Sequence, residues 1–260
     1  MNAAMEQTYR IALWQGPSPE ADIKAAFAAL GQAMRAAAAM GAKVLVAPEL
    51  YLPGYNQDQV TDLAQERGGE WHMRLSAMCM AAGCGLVVGY AERDGAARYN
   101  SAVAFSAEGM ELAHYRKIQL FGPREKRLFS PGDAYAVFDF GGIKTALLIC
   151  YDIEFAPHIA ALAAQGVKLI LCPTACPSPY EYVSRAVVPA HAANHGLTIV
   201  YANYCGIEGD CNYFGLSVIA NPYGELVAQA GSGPALLVAD VPVSFDPSRL
   251  ATQARDFRTV

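Results

Sequence analysis

Long apolar runs, excess basic charge and paired cysteines are all missing from this 260-residue chain. A membrane-spanning helix needs roughly 20 consecutive apolar residues. Stretches such as 143–150 (IKTALLIC) and 197–201 (LTIVY) fall far short, so no membrane association is expected. Lys and Arg total 19 against 24 Asp and Glu, a net charge of −5, which provides no cationic footprint for a phosphate backbone and sets nucleic acid aside as a partner. The first ten residues lack the basic start and apolar core of a secretory signal, so the expected compartment is the cytoplasm. The seven cysteines (79, 84, 150, 172, 176, 205 and 211) are odd in number and show no CxxC pair, which argues against a disulfide framework and a four-ligand zinc site. Cys172 and Cys176, four apart around a proline, read as packing residues more readily than as a metal or redox pair. No repeat with a period of 20 to 50 residues and no low-complexity tract is present.

What is present is apolar material for a sizeable core: 53% of residues are hydrophobic and 17% charged. Residues 9–15 (YRIALWQ) alternate as a half-buried strand, 22–40 carry apolar residues at helical spacing, and 43–48 (KVLVAP) read as a buried strand. The alternation recurs, with helices expected over 69–82, 157–165 and 180–194, and strands over 86–92, 101–106, 112–116, 143–149, 167–172, 198–203, 216–220, 226–230 and 235–241. Mixed strands and helices with no linker or compositional break predict one α/β domain of layered sheets.

Three strands end in a chemically loaded residue: Glu49 after KVLVAP, Lys117 after HYR, and Cys150 after IKTALLI. Ligands in α/β folds collect outside strand ends, so these three could converge. Cys150 stands between an apolar strand and a proline-led helix, a context that presents a thiol on a sharp turn with backbone N–H groups free for an oxyanion. A thiol needs a base, and Glu49 is the candidate. In water, moving the proton from thiol to carboxylate costs about 5 to 6 kcal/mol. Burial of the acid and a nearby ammonium would narrow that gap, and Lys117 could supply the ammonium. Taken singly, each residue reads more readily as a buried structural thiol or a solvated charge; only the three together make a mechanism.

The segments APELYLPGY, YRKIQLF and ICYDIEF resemble the three signatures of the nitrilase superfamily, the carbon–nitrogen hydrolases, and the likeness runs over residues 8–243. The resemblance implies a four-layer αββα sandwich of two mixed β-sheets with outer helices, a single hydrolase domain over 8–243 and a C-terminal tail over 244–260 that would lie at a dimer interface. It implies no cofactor and no metal. Carried over, Cys150 would be the nucleophile, Glu49 the general base and Lys117 the oxyanion stabiliser, with the Tyr151 N–H completing the oxyanion hole. The supporting acid that many amidase relatives carry seven positions after the lysine falls here on Arg124, so Glu125 takes that role.

The CYD sequence at 150–152 resembles the amidase branch, where true nitrilases have Trp and Glu, and LWQG, LPGYN, RKIQLFG, LFSPGD and VYANYCG resemble bacterial aliphatic amidases. The expected reaction is cleavage of a small aliphatic amide to carboxylic acid and ammonia through a Cys thioester. The alternatives are a nitrilase, an N-carbamoyl amine hydrolase, an ω-amidase, or a catalytically silent scaffold. By the same resemblance the loop PTACPSPY would border the acyl pocket, with Ala175 and Cys176 leaving room and Tyr55, together with Tyr51 and Tyr180, as walls or core. The expected partner beyond the amide substrate is a second copy of the chain. His191 and His195, four apart on a helix, invite a metal or Cys–His reading but have no matching carboxylate motif, and Arg116, Arg124, Lys126 and Arg127 read as a solvated loop or dimer rim.

Overall fold

The alternating segment at the start of the chain forms β1 (Thr8–Gln15), and α1 (Ile23–Ala39) follows it. Local chemistry sets the helix ends: Asp22 caps α1 by accepting the Ala25 N–H at 2.9 Å, and Gly41 takes a φ of +80° just beyond it. The computed structural model describes residues 8–256 and 258. Residues 1–7, which carry most of the argument about a secretory start, and residues 257, 259 and 260 of the expected tail lie outside the described residues.

After β2 (Val44–Val46) and α2 (Glu70–Ala82) come β3 (Gly85–Asp94), β4 (Ala97–Phe105), β5 (Glu111–Arg116), α3 (Gly122–Leu128), β6 (Ala136–Phe140) and β7 (Ile143–Leu147). Then follow a 3₁₀ turn (Cys150–Glu154), α4 (Ala156–Ala164), β8 (Leu169–Pro173), a π turn (Val183–Val187), α5 (Val188–His195), β9 (Thr198–Ala202), β10 (Cys205–Glu208), β11 (Cys211–Phe214), β12 (Val218–Ala220), β13 (Leu226–Gln229) and β14 (Ala235–Pro242). One six-stranded sheet has the order β14-β1-β2-β3-β4-β5 and the other β13-β12-β9-β8-β7-β6. Each has a parallel centre, β1-β2-β3 and β7-β8-β9, flanked by antiparallel strands.

Period-two patterning explains the layers. Val44 and Val46 pack with Leu147, Leu171 and Val200 between the sheets, whereas Leu45, Leu86 and Val88 face Phe27, Leu30 and Leu75 of α1 and α2. On the second sheet Ile159 and Leu162 of α4 and Val188 and Ala192 of α5 cover the outer face. The result is the expected αββα sandwich.

The sequence expectation lacks β6 altogether, and three further places differ from it. The β10–β11 hairpin turns through Gly209 and Asp210, a two-residue turn signal inside a stretch with little alternation. Helix α3 has only seven residues, mostly charged, and so lacks an apolar period to read. The expected helix over 180–194 opens as a π turn before settling into α5.

Candidate active site

Glu49 leaves β2 on a loop that approaches β3 so closely that a Cβ on Gly89 would stand 2.6 Å from the Glu49 Cα. A glycine is required there. The Glu49 N–H reaches the Thr174 carbonyl at 3.3 Å, which bonds this loop to the end of β8. Lys117 follows β5, its N–H on the Asn100 carbonyl at 2.8 Å. Cys150 follows β7 with a φ of +45°, a left-handed conformation that an L-residue adopts only under constraint from its surroundings.

The charged side chains meet in the interior. Lys117, Glu49 and Glu125 are all fully buried, and the Lys117 Nζ lies 2.7 Å from Glu49 Oε1 and 2.8 Å from Glu125 Oε1. Asn100 Nδ2 donates to the same Glu49 oxygen at 2.6 Å. Glu49 Oε2 is buried with no hydrogen-bond partner among the described residues. Glu125 Oε1 also accepts the Tyr55 hydroxyl at 2.6 Å, and Glu125 Oε2 accepts the Phe121 N–H at 2.9 Å. Isolated charges would be prohibitively costly here; the network satisfies them with opposite charge and donors.

These charges set the protonation states. Burial lifts the Glu49 carboxyl above its usual range, partly offset by the Lys117 ammonium. Burial alone would pull the Lys117 ammonium down, but the Glu125 and Glu49 carboxylates outweigh it, so the amine stays charged. The Cys150 thiol feels both groups: contact with the Cys176 thiol, burial and the Glu49 charge push its pKa well up, and Lys117 pulls the other way. The expected lowering by an ammonium is therefore present but loses, and the resting sulfur is a thiol.

Asp152, two residues after the cysteine, fixes the turn. It is fully buried and accepts the Ile149 N–H at 3.0 Å, the Gln119 N–H at 2.7 Å and the Tyr115 hydroxyl at 2.8 Å. The Tyr151 N–H makes no backbone hydrogen bond outside the 3₁₀ turn among the described residues. The Tyr151 ring packs edge-on against Phe121 and Phe155, at 5.2 and 4.9 Å between centroids. A cleft of about 440 Å³ beside it is lined by Ile118, Gln119, Leu120, Phe129, Tyr151 and Phe155.

Of the expected pocket residues, Ala175 and Cys176 are buried next to Thr174, and Asn203 grips Cys176 by both its N–H (2.8 Å) and its carbonyl (3.0 Å). The Tyr55 hydroxyl is spent on Glu125, and Tyr51 is core, edge-on to Trp14 and stacked on Tyr204. Tyr180 packs edge-on to Phe121. The basic cluster breaks up: Arg116 pairs with Glu92 and Asp94, Arg124 donates to the Tyr55 and Gln57 carbonyls, and Lys126 and Arg127 are exposed. His191 and His195 lie on α5 with ring centroids 6.3 Å apart. Sequence reasoning missed Asn100, one of several polar residues in the first half of β4 and so without a distinguishing signal, and quoted Asp152 only as a branch marker.

A four-layer sandwich with a thiol beside a buried, amine-bridged carboxylate pair is the architecture of a hydrolase. The chain belongs to the carbon–nitrogen hydrolase family, whose model matches residues 10–245. It is 39% identical over 237 residues to a hydrolase from the pqqF 5′ region of Pseudomonas protegens, covering 89% of this chain and 82% of that one. It is 32% identical over 216 residues to an (R)-stereoselective amidase from Pseudomonas sp, covering 82% and 77%. The fold superposes on the crystal structure of an amidase from Nesterenkonia sp. with a TM-score of 0.86 and 35% identity over 90% of each chain. A mutant of the amidase from Nesterenkonia sp. AN1 has also been solved after Michael addition of acrylamide at its active-site cysteine, with 34% identity to this chain, 90% of this chain and 93% of that one covered, and a TM-score of 0.86.

Proposed function

We propose that the protein cleaves the C–N bond of a small aliphatic amide to give a carboxylic acid and ammonia, with Cys150 as nucleophile, Glu49 as general base and Lys117 as oxyanion stabiliser. The observation that carries this reading is the fully buried Lys117 Nζ held between Glu49 Oε1 at 2.7 Å and Glu125 Oε1 at 2.8 Å, while Glu49 Oε2 stays unbonded. One oxygen of the base is committed to the amine and the other is left for a proton.

Glu49 Oε2 takes the thiol proton as the Cys150 sulfur attacks the amide carbon, and the oxyanion settles on the Lys117 ammonium and the Tyr151 N–H. Glu49 returns the proton to the nitrogen, the C–N bond breaks, ammonia leaves and a thioester remains. Glu49 then deprotonates a water that attacks the thioester, and the thiolate leaves and recovers the proton. The amine keeps its charge throughout, so it serves as an electrostatic partner and not as the base.

Around this core we place a single hydrolase domain over 8–243 with a tail over 244–260, in a cytoplasmic homodimer joined through an outer helical face; light scattering on the purified chain reads the copy number. Mass spectrometry of the intact protein with a panel of short amides, nitriles and carbamoyl compounds tests the chemistry. An acyl mass at Cys150 with ammonia release is expected, and carbon dioxide alongside ammonia would point to carbamoyl hydrolysis instead. In Cys150→Ala ammonia release should vanish while the fold remains, and undiminished turnover would refute the thiol mechanism.

A further inference from the structure

Glu208 is another fully buried acid, and the chemistry above does not use it. It closes β10, and its carboxylate collects donors from three separate segments: Ser18 Oγ at 2.6 Å and Gln57 Nε2 at 2.7 Å on Oε1, and the Tyr213 hydroxyl at 2.6 Å on Oε2. Burying a carboxylate costs several kcal/mol unless such donors are in place. Its recipient is the loop after Glu49. A Cβ on Gly54 would stand 2.6 Å from Glu208 Oε1, so the backbone passes directly against the carboxylate one residue before Tyr55. Asn56 adds bonds from its Nδ2 to the Glu208 carbonyl at 3.0 Å and to Asp210 Oδ1 at 2.6 Å.

A second clamp comes from α3, where Arg124 donates to the Tyr55 carbonyl at 2.9 Å and the Gln57 carbonyl at 2.8 Å. The backbone of Tyr55 is thus held by the hairpin and by the residue next to Glu125. Its hydroxyl completes the circuit on Glu125 Oε1, the same oxygen that takes the Lys117 ammonium.

We propose that Glu208 is a positioning residue for the catalytic amine: through the 54–57 loop it fixes Tyr55, whose hydroxyl holds Glu125 against Lys117. The assignment explains why a carboxylate sits in a hairpin that belongs to neither large sheet. It rests on the proposed function for its kinetic consequence but not for its electrostatic one.

The test compares Glu208→Gln, Tyr55→Phe and the double variant. Glutamine keeps the size of the side chain but cannot accept all three donors. If Glu208 acts through Tyr55, Glu208→Gln lowers kcat for a short amide about tenfold with KM little changed, and the double variant is no slower than the slower single one. In the substrate-free protein, site-resolved alkylation of Cys150 across pH should show its midpoint displaced in the same direction by either single change, with the double change adding nothing. Unaltered kcat and midpoint in Glu208→Gln, or effects that multiply in the double variant, would overturn the assignment. If Glu208→Gln does not fold, Gln57→Ala, which removes one donor from the same carboxylate, replaces it in the same cycle. A wild-type protein that releases no ammonia sinks the proposed function, whereas the alkylation arm still decides the role of Glu208.

Discussion

The Asp152 carboxylate accepts the Gln119 N–H at 2.7 Å, so the turn that carries Cys150 is bonded to the segment that carries Lys117. Its other oxygen accepts the Ile149 N–H and the Tyr115 hydroxyl. In Asp152→Asn the amide NH₂ must face a donor, leaving at least one buried group unpaired at about 1–3 kcal/mol. We expect a lower unfolding temperature and a kcat reduced about tenfold or more, since sub-ångström displacement of reacting groups is enough for that. Steady-state ammonia release and thermal melts check it; full activity in a destabilised variant would show that the bond serves folding only.

The pH dependence follows from Glu49. The base must be ionised to take the thiol proton, and burial holds its pKa above the ordinary carboxylate range. Activity should therefore fall on the acid side at a higher pH than an exposed glutamate would give. Glu49→Gln keeps the shape and removes the acceptor, so kcat should drop by about 10² to 10⁴. A kcat/KM profile flat through the weakly acidic range, or an active glutamine variant, would remove Glu49 from the role of base.

Much of this site was legible because Glu49 and Cys150 follow apolar strands and Lys117 follows a half-buried one. KVLVAP, HYR and IKTALLI each announce where β2, β5 and β7 stop, and the next polar side chain is then placed by topology. Asn100 was not legible, because its function depends on β4 pairing with β3, Asn100 opposite Ala91, which brings its amide to Glu49 from 51 residues away. Glu208 was hidden for a related reason: its donors Ser18 and Gln57 stand 190 and 151 residues from it in sequence. The net direction of the thiol pKa was not legible, since Cys176 and burial oppose the lowering by the Lys117 ammonium only once the chain is folded.

Stability at neutral pH should depend on Glu92, which supports the strand end just before Lys117. Burial pushes its carboxyl up, but hydrogen bonds from His114, Arg116 and Ser101 outweigh that and bring the pKa to about 2 from 4.5. A depressed carboxylate pKa stabilises the fold above the unfolded value and loses that contribution as pH falls through the folded one. At about 1.4 kcal/mol per pH unit, Glu92→Gln should cost on the order of 3 kcal/mol near neutrality. The gap from wild type should close between about pH 4.5 and 2 in denaturant melts. A gap that persists at pH 2 would mean the loss is steric.

Cys176 offers the most direct check on the electrostatics around the nucleophile. Its thiol contact is the largest influence pushing the Cys150 pKa upward, and Asn203 holds its backbone, so the loop does not rely on the sulfur. Cys176→Ala should therefore keep the loop in place and shift the pH midpoint of Cys150 alkylation downward, as followed by mass spectrometry of the peptide containing Cys150. Lys117→Met should do the opposite, because an ammonium that favours the thiolate is removed. The two substitutions act on the same sulfur with opposite sign, which separates charge from a general loosening of the site: loosening would move both midpoints toward that of a solvent-exposed thiol. A Cys176→Ala midpoint equal to or above wild type would show that the contact does not govern the nucleophile.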